Sequence, residues 1–229
     1  MILVPGHAVW SGHDDPFDSS TWFVKPFQVD EPSFFLEHLK AGVSLAASDP
    51  GSLLVISGGP TELRAGPRSE ALGYFDVAES IGFWGHSEVK KRCVLDEYAL
   101  DSFQNLLFGL CRFREFSGSW PTCITVAGWG FKARRFAELH RAALRWELPF
   151  RTLAVNDPID LKFAATREAL TRLQWTADPY GCNPPLSVKR RERDHFHRVP
   201  PYSSSCPALS CLLRHRGPQL FPGPLPWDA

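Results

Sequence analysis

The chain is poor in the features that mark several large functional classes. No stretch approaches the roughly 18 uninterrupted apolar residues that a membrane span requires. The opening Met1-Ile2-Leu3-Val4 has neither a charged n-region nor the apolar h-region of a secretory leader. The expectation is a protein that is neither inserted in a membrane nor secreted. Its six cysteines (Cys93, Cys111, Cys123, Cys182, Cys206 and Cys211) form no C-x-x-C pair, and no N-x-[ST] sequon occurs. Reduced, structural thiols and a cytoplasmic location follow as expectations.

Other absences bear on chemistry. There is no G-x-x-x-x-G-K-[ST], no G-x-G-x-x-G after the first apolar run and no G-x-S-x-G. A P-loop kinase, an ordinary dinucleotide dehydrogenase and an α/β-hydrolase are set aside. H-E-x-x-H is missing, and His195, His197, Cys206 and Cys211 match no common ligand spacing, so no metal is expected. Net charge is missing as well: 25 Lys and Arg balance 25 Asp and Glu, which gives no strong signal for nucleic acid. The balance is uneven along the chain. Residues 1–101 hold 7 basic and 15 acidic side chains and residues 102–229 hold 18 and 10, so the two parts carry −8 and +8.

What the 229 residues do contain is the arithmetic of a folded domain, with 44% hydrophobic and 22% charged side chains. Short apolar runs alternate with segments of helical period, the pattern of a parallel sheet covered by helices on both faces. The expected strands are Ile2–Pro5, Leu53–Ser57, Arg92–Leu95, Cys123–Ala127 and Leu153–Val155. Between the first two, Asp30 as N-cap, Pro32 in the first turn and Phe35, Leu36, Leu39 and Val43 on one side define a helix. Ser69 and Glu70 open a second helix, with Tyr74, Phe75, Ala78 and Ile81 inward. Asp101 or Ser102 caps a third, with Phe103, Leu106, Leu107, Leu110 and Cys111 inward. A fourth runs from about Lys132 and a fifth from Leu161 to Leu173.

The division is an α/β domain over 1–175 and a proline-rich extension over 176–229. The extension holds 10 of the 20 prolines and shows no helical or strand period. Its apolar end, Leu220-Phe221-Pro222-Gly223-Pro224-Leu225-Pro226-Trp227, is expected to pack back on the domain. Its basic run Lys189-Arg190-Arg191-Glu192-Arg193 suits phosphate or an acidic protein partner, or forms a solvated face.

In an open parallel sheet, ligands bind beyond the carboxyl ends of the strands. The loops there carry Gly6 and His7, then Ser57, Gly58, Gly59 and Thr61, then Glu97 and Asp101, and finally Gly128 and Lys132. Gly58 and Gly59 with Arg68, Ser69 and Glu70 at a helix start suit a phosphate or carboxylate. Equally, the glycines only turn the chain and Arg68 pairs with Glu70 or Glu97. Glu97, Asp101 and Asn105 form either a general-base or hydroxyl-binding cluster or a helix cap. His7 is placed for proton transfer or for a structural hydrogen bond. Lys132, Arg134 and Arg135 open a helix, a poor place for cations unless an anion lies near.

Leu53-Leu54-Val55-Ile56-Ser57-Gly58-Gly59-Pro60-Thr61 with Arg68-Ser69-Glu70-Ala71 resembles the SGG…SEA signature of the domain-of-unknown-function 218 family, which includes SanA, YdcF and ElyC-like bacterial proteins. Glu97 to Asn105 looks like that family's second signature, with Leu100, Ser102 and Gln104 replacing its Ser, Thr and Glu. Val4-Pro5-Gly6-His7-Ala8, Phe131-Lys132-Ala133-Arg134-Arg135-Phe136 and the end from Phe221 to Trp227 are similar to its eukaryotic, mainly fungal, branch. The resemblance implies a Rossmann-like three-layer fold. By analogy with one bacterial relative it also implies an adenosyl-type ligand such as S-adenosylmethionine. Phe131 stands where bacterial members have His, and the methyltransferase G-x-G-x-G loop is absent. The combined expectation is a small anionic or nucleotide-like ligand at the strand C-termini, held by Gly58, Gly59, Arg68 and Ser69, with Glu97, Asp101 and His7 as candidate catalytic groups. The competing expectation is a binding protein that uses the basic segment 189–198.

Overall fold

The computed structural model describes residues 1–228. β1 (Ile2–Pro5), β4 (Leu54–Ser57), β5 (Cys93–Asp96), β6 (Ile124–Trp129) and β7 (Phe150–Asn156) form one parallel sheet in the order β5-β4-β1-β6-β7. All five expected strands are present, the first with the expected bounds and the other four with shifted ends. β7 is longer than expected because it is an edge strand of mixed exposure, whose weak apolar signal shows only at its middle. Two further short strands, β2 (Val9–Trp10) and β3 (Trp22–Phe23), make an antiparallel pair that has too few residues to display a period.

Alternation along the central strands divides the core into two layers. Ile2, Val4, Leu54 and Ile56 face α1 (Pro32–Ser48) and α2 (Glu70–Ser80), where Phe35, Leu39, Val43, Tyr74 and Val77 are fully buried. Leu3, Val55 and Val94 face the other way, against α3 (Ser102–Ser117). The result is helix, sheet, helix, consistent with a Rossmann-like three-layer fold. The cap of α1 differs from expectation, since Glu31 rather than Asp30 occupies the position and makes no side-chain cap bond. Ser69 and Asp101 cap α2 and α3, accepting from Leu72 N and Gln104 N.

The fourth helix is irregular. A 3-10 turn, Gly130–Lys132, leads into a π-helical stretch, Arg135–His140, and then into α4 (Arg141–Ala143). α5 (Leu161–Ala177) lies outside and buries little besides Glu168 and Trp175.

The extension is not without helices, as its sequence suggested. α6 (Leu186–Arg193), α7 (Tyr202–Ser205) and α8 (Ser210–Arg214) occur in it, each too short to establish a period between prolines. Its packing follows expectation. Tyr202, Leu209, Leu212, Phe221, Leu225 and Trp227 join the α3 core layer. The Trp227 ring lies 5.0 Å from that of Trp146 and 5.4 Å from that of Trp120, and its Nε1 donates to Leu144 O at 2.7 Å. Tyr202 donates at 2.6 Å to Asp96 at the end of β5. No helix is long and apolar enough to cross a membrane among the described residues.

Candidate functional site

β1 sits between β4 and β6, so the chain leaves the sheet in opposite directions on its two sides, and a crevice opens at the carboxyl end of β1. An inner chamber of about 190 Å³ occupies this point. It is walled by Gly6 and His7 after β1, Thr61 and Glu70 after β4, Asp101, Ser102 and Asn105 at the start of α3, and Lys132 and Arg135 after β6. Lys25 and Gln28, from the turn after β3, and Arg193 of α6 close it. Most of these walls also belong to an outer cleft of about 650 Å³, whose rim carries Phe27, Phe131, Ile159 and Phe163.

The loop after β4 does not form the cradle expected of it. Gly58 N–H donates to Asp96 O at 3.0 Å and Gly59 N–H to Ala99 O at 2.7 Å, so neither amide is free for an anion. Both glycines have steric roles instead. A Cβ on Gly58 would come within 2.6 Å of Glu70 Oε2, and one on Gly59 within 2.9 Å of Ala99 O. Gly6 serves the same carboxylate, since its Cβ would meet Glu70 Oε2 at 2.7 Å. Arg68 is also removed from the expected cradle. Its guanidinium is ion-paired with Asp76 beside Gly12 and does not line the chamber. Ser69 caps α2 and donates to Glu97 Oε2 at 2.7 Å, which leaves Ser69 and Glu97 outside the chamber wall.

Of the candidate catalytic groups, Asp101 is spoken for. Its Oδ1 accepts from Gln104 N at 2.9 Å and its Oδ2 from Arg190 Nε at 2.6 Å. His7 does line the chamber, packed against Phe35, His38 and Trp129, and its buried Nε2 has no partner. Burial, reinforced by Lys132 and His38, holds its pKa well below the usual value, so it is a neutral ring at physiological pH. Gly128 lies behind it, in a separate void of about 20 Å³. Ser57 is buried below the chamber floor, 2.6 Å from Asp96 Oδ2 and 3.0 Å from Asn105 Oδ1.

Glu70 is the chamber's unpaired carboxylate. Burial raises its pKa, opposed by the Thr61 hydroxyl that donates to Oε1 and by the charges of Arg193, Lys25 and Lys132. Around it stand four basic side chains, Lys25, Lys132, Arg135 and Arg193. Arg135 is nine-tenths buried and pairs with Glu168 at 2.8 Å, while its Nε has no partner. Lys25, Lys132 and Arg193 have no ion-pair partner among the described residues. Desolvation, then the neighbouring Arg135, lowers the Lys132 pKa to about 7.

Arg193 reaches the chamber because α6 lies across its mouth: Arg193 donates to Leu100 O at 2.8 Å, and Arg190, one turn earlier, holds Asp101. The spacing of Arg190 and Arg193 put both on one helix face, a signal present in the sequence but masked by the surrounding prolines. Lys25, Phe27 and Gln28 carried no such signal. His140 was also missed; it is fully buried, with Nε2 2.8 Å from Ser102 Oγ. Among the described residues no cluster of three or more His, Cys, Asp or Glu is arranged to hold a metal ion.

The chain is similar to the uncharacterized protein YOR238W of Saccharomyces cerevisiae, 26% identical over 262 aligned positions that cover 90% of this chain and 86% of the yeast protein. No protein-family model matches, and no solved structure does.

Proposed function

We propose that the protein binds a small, nucleotide-like anion, with its charged group in the inner chamber and its planar part in the outer cleft. The observation that carries this reading is the convergence of Lys25, Lys132, Arg135 and Arg193, three of them without an ion-pair partner, on a cavity at the sheet's switch point. Like charges gathered in a partly desolvated space repel, and an anion offsets that cost. Phe27 and Phe163, 67% and 50% exposed on the cleft, offer faces for a nucleobase. Glu70, free of an ion pair, faces the same space as a hydroxyl acceptor or proton acceptor.

The resemblance to the domain-of-unknown-function 218 family suggested S-adenosylmethionine. Its sulfonium and ammonium groups would meet the chamber's cations, whereas a phosphorylated nucleoside complements them. A thermal-shift comparison separates the two. Adenosine 5′-monophosphate should raise the melting temperature and S-adenosylmethionine should not; at about 100 times the dissociation constant, a bound ligand stabilises by about 2.7 kcal/mol. Stabilisation by S-adenosylmethionine alone would reverse the assignment.

A further inference from the structure

Ser102 is the first residue of α3 and borders both the chamber and the cleft. Its Oγ lies 2.8 Å from His140 Nε2 and 3.3 Å from Arg135 Nη1. A guanidinium can only donate, so Arg135 occupies one lone pair of the hydroxyl. The role of His140 follows from its other nitrogen. Nδ1 is buried without a partner. Enclosure by Phe103, Phe136 and Trp175 keeps the ring neutral, its pKa pushed well below the usual value by burial. A neutral imidazole has one proton to place. A buried N–H with no acceptor is rarer in folded proteins than an under-used acceptor, which puts the proton on Nε2. Nε2 therefore donates to Ser102 Oγ. With both lone pairs taken, the hydroxyl's own proton is left to donate, and Ser102 borders the chamber.

We propose that His140 and Arg135 lock Ser102 as a fixed hydrogen-bond donor to a phosphoryl oxygen, so that the chamber selects a phosphate monoester over a carboxylate. The proposal rests on the anion-binding reading above and names the anion. A phosphate monoester offers three strong acceptor oxygens and close to two negative charges. The donors here arrive from separate elements: Ser102 from α3, Lys132 and Arg135 from the segment after β6, Arg193 from α6. Such a distribution suits a tetrahedral group, where a planar carboxylate presents two oxygens in one plane. His140 touches no ligand in this scheme; it is a positioning residue that acts through Ser102.

The test is calorimetric titration of the full chain with adenosine 5′-monophosphate and with adenosine 5′-carboxylic acid, which share base and sugar. Wild type should prefer the monophosphate. Ser102→Ala and His140→Phe should each weaken monophosphate binding roughly ten- to a hundred-fold, the scale of one hydrogen bond to a charged group. Both should leave carboxylate binding nearly unchanged. His140→Gln, whose amide can again donate to Oγ, should recover most of the loss, an effect that a merely space-filling histidine would not give. If His140→Phe does not fold, Ser102→Ala and His140→Gln still carry the comparison. Equal affinity of wild type for the two ligands, or undiminished monophosphate binding by Ser102→Ala, would overturn the proposal while leaving anion binding intact. Binding of neither ligand would remove both readings. A phosphoryl adduct on Ser102 by mass spectrometry would also overturn it, because the hydroxyl would then be giving its proton up rather than donating a fixed hydrogen bond.

Discussion

Anion binding in the chamber should take up a proton at mildly alkaline pH, and Lys132 sets the size of the effect. Its pKa is lowered from 10.5 to about 7, chiefly by desolvation. A bound dianion supplies the missing countercharge and drives the pKa back up. Above pH 7, Lys132 in the free protein is mostly neutral and must be protonated for full affinity. Each further pH unit then costs up to about 1.4 kcal/mol, or tenfold, until the pKa of the complex is reached. Between pH 7 and 9 the affinity for adenosine 5′-monophosphate should fall by up to roughly a hundredfold. The second ionisation of a phosphate monoester, near pH 6, is largely complete below this window and does not confound it. Glu70, His7 and Lys25 also face the site, so the decisive control is Lys132→Met, which removes one titrating group and keeps a similar volume. Calorimetry in buffers of different ionisation enthalpy should show uptake approaching one proton per ligand near pH 8 in wild type and much less in Lys132→Met. An affinity that is flat from pH 7 to 9, or a variant that keeps the wild-type slope, would refute the role of Lys132.

Other consequences concern residues outside the chamber. Arg68→Ala should leave ligand affinity unchanged, because Arg68 is held by Asp76 away from the chamber; a loss of binding in a calorimetric titration would return Arg68 to the site. Trp227→Ala should destabilise the fold by about 3–5 kcal/mol in urea titrations, as for other buried aromatic truncations, and a change under 1 kcal/mol would show the extension is not docked as described. Asp96 is fully buried and its pKa is raised from 3.8 to about 6, first by burial. Its folded form holds a proton more tightly than its unfolded form, so its contribution to stability is full at low pH and is lost as pH rises from about 4 to about 6. The loss is on the order of 3 kcal/mol. The stability difference between wild type and Asp96→Asn should therefore favour wild type more at pH 4 than at pH 7.5, and a constant difference would contradict the burial argument.

Much of the scaffold was legible because it depends on local pattern. The apolar runs at Ile2–Pro5 and Leu53–Ser57, the opening of α2 at Ser69 and Glu70, and a cap for α3 at Asp101 or Ser102 are read from residue order, and the structure takes Asp101. The place of the chamber was legible for the same reason, since strand ends in an open parallel sheet fix where loops gather. Gly6, His7, Thr61, Glu70, Asp101, Asn105 and Lys132 do meet there. What was not legible is which polar groups are already satisfied. The amides of Gly58 and Gly59 look free in a sequence, yet they are consumed by Asp96 O and Ala99 O, contacts that exist only once β4 and β5 are side by side. Arg68 and Arg193 are indistinguishable as residues; only the path of the extension across the mouth decides that the second lines the chamber and the first does not. His140 was hidden because its partner, Ser102, lies 38 residues earlier in the chain.

The most direct measurement is a crystal structure of the full chain grown with adenosine 5′-monophosphate. The phosphate should lie in the inner chamber, within hydrogen-bond reach of Ser102, Lys132, Arg135 and Arg193, and the adenine in the cleft against Phe27 or Phe163. A nucleotide bound elsewhere, or a chamber left empty at saturating nucleotide, would contradict it.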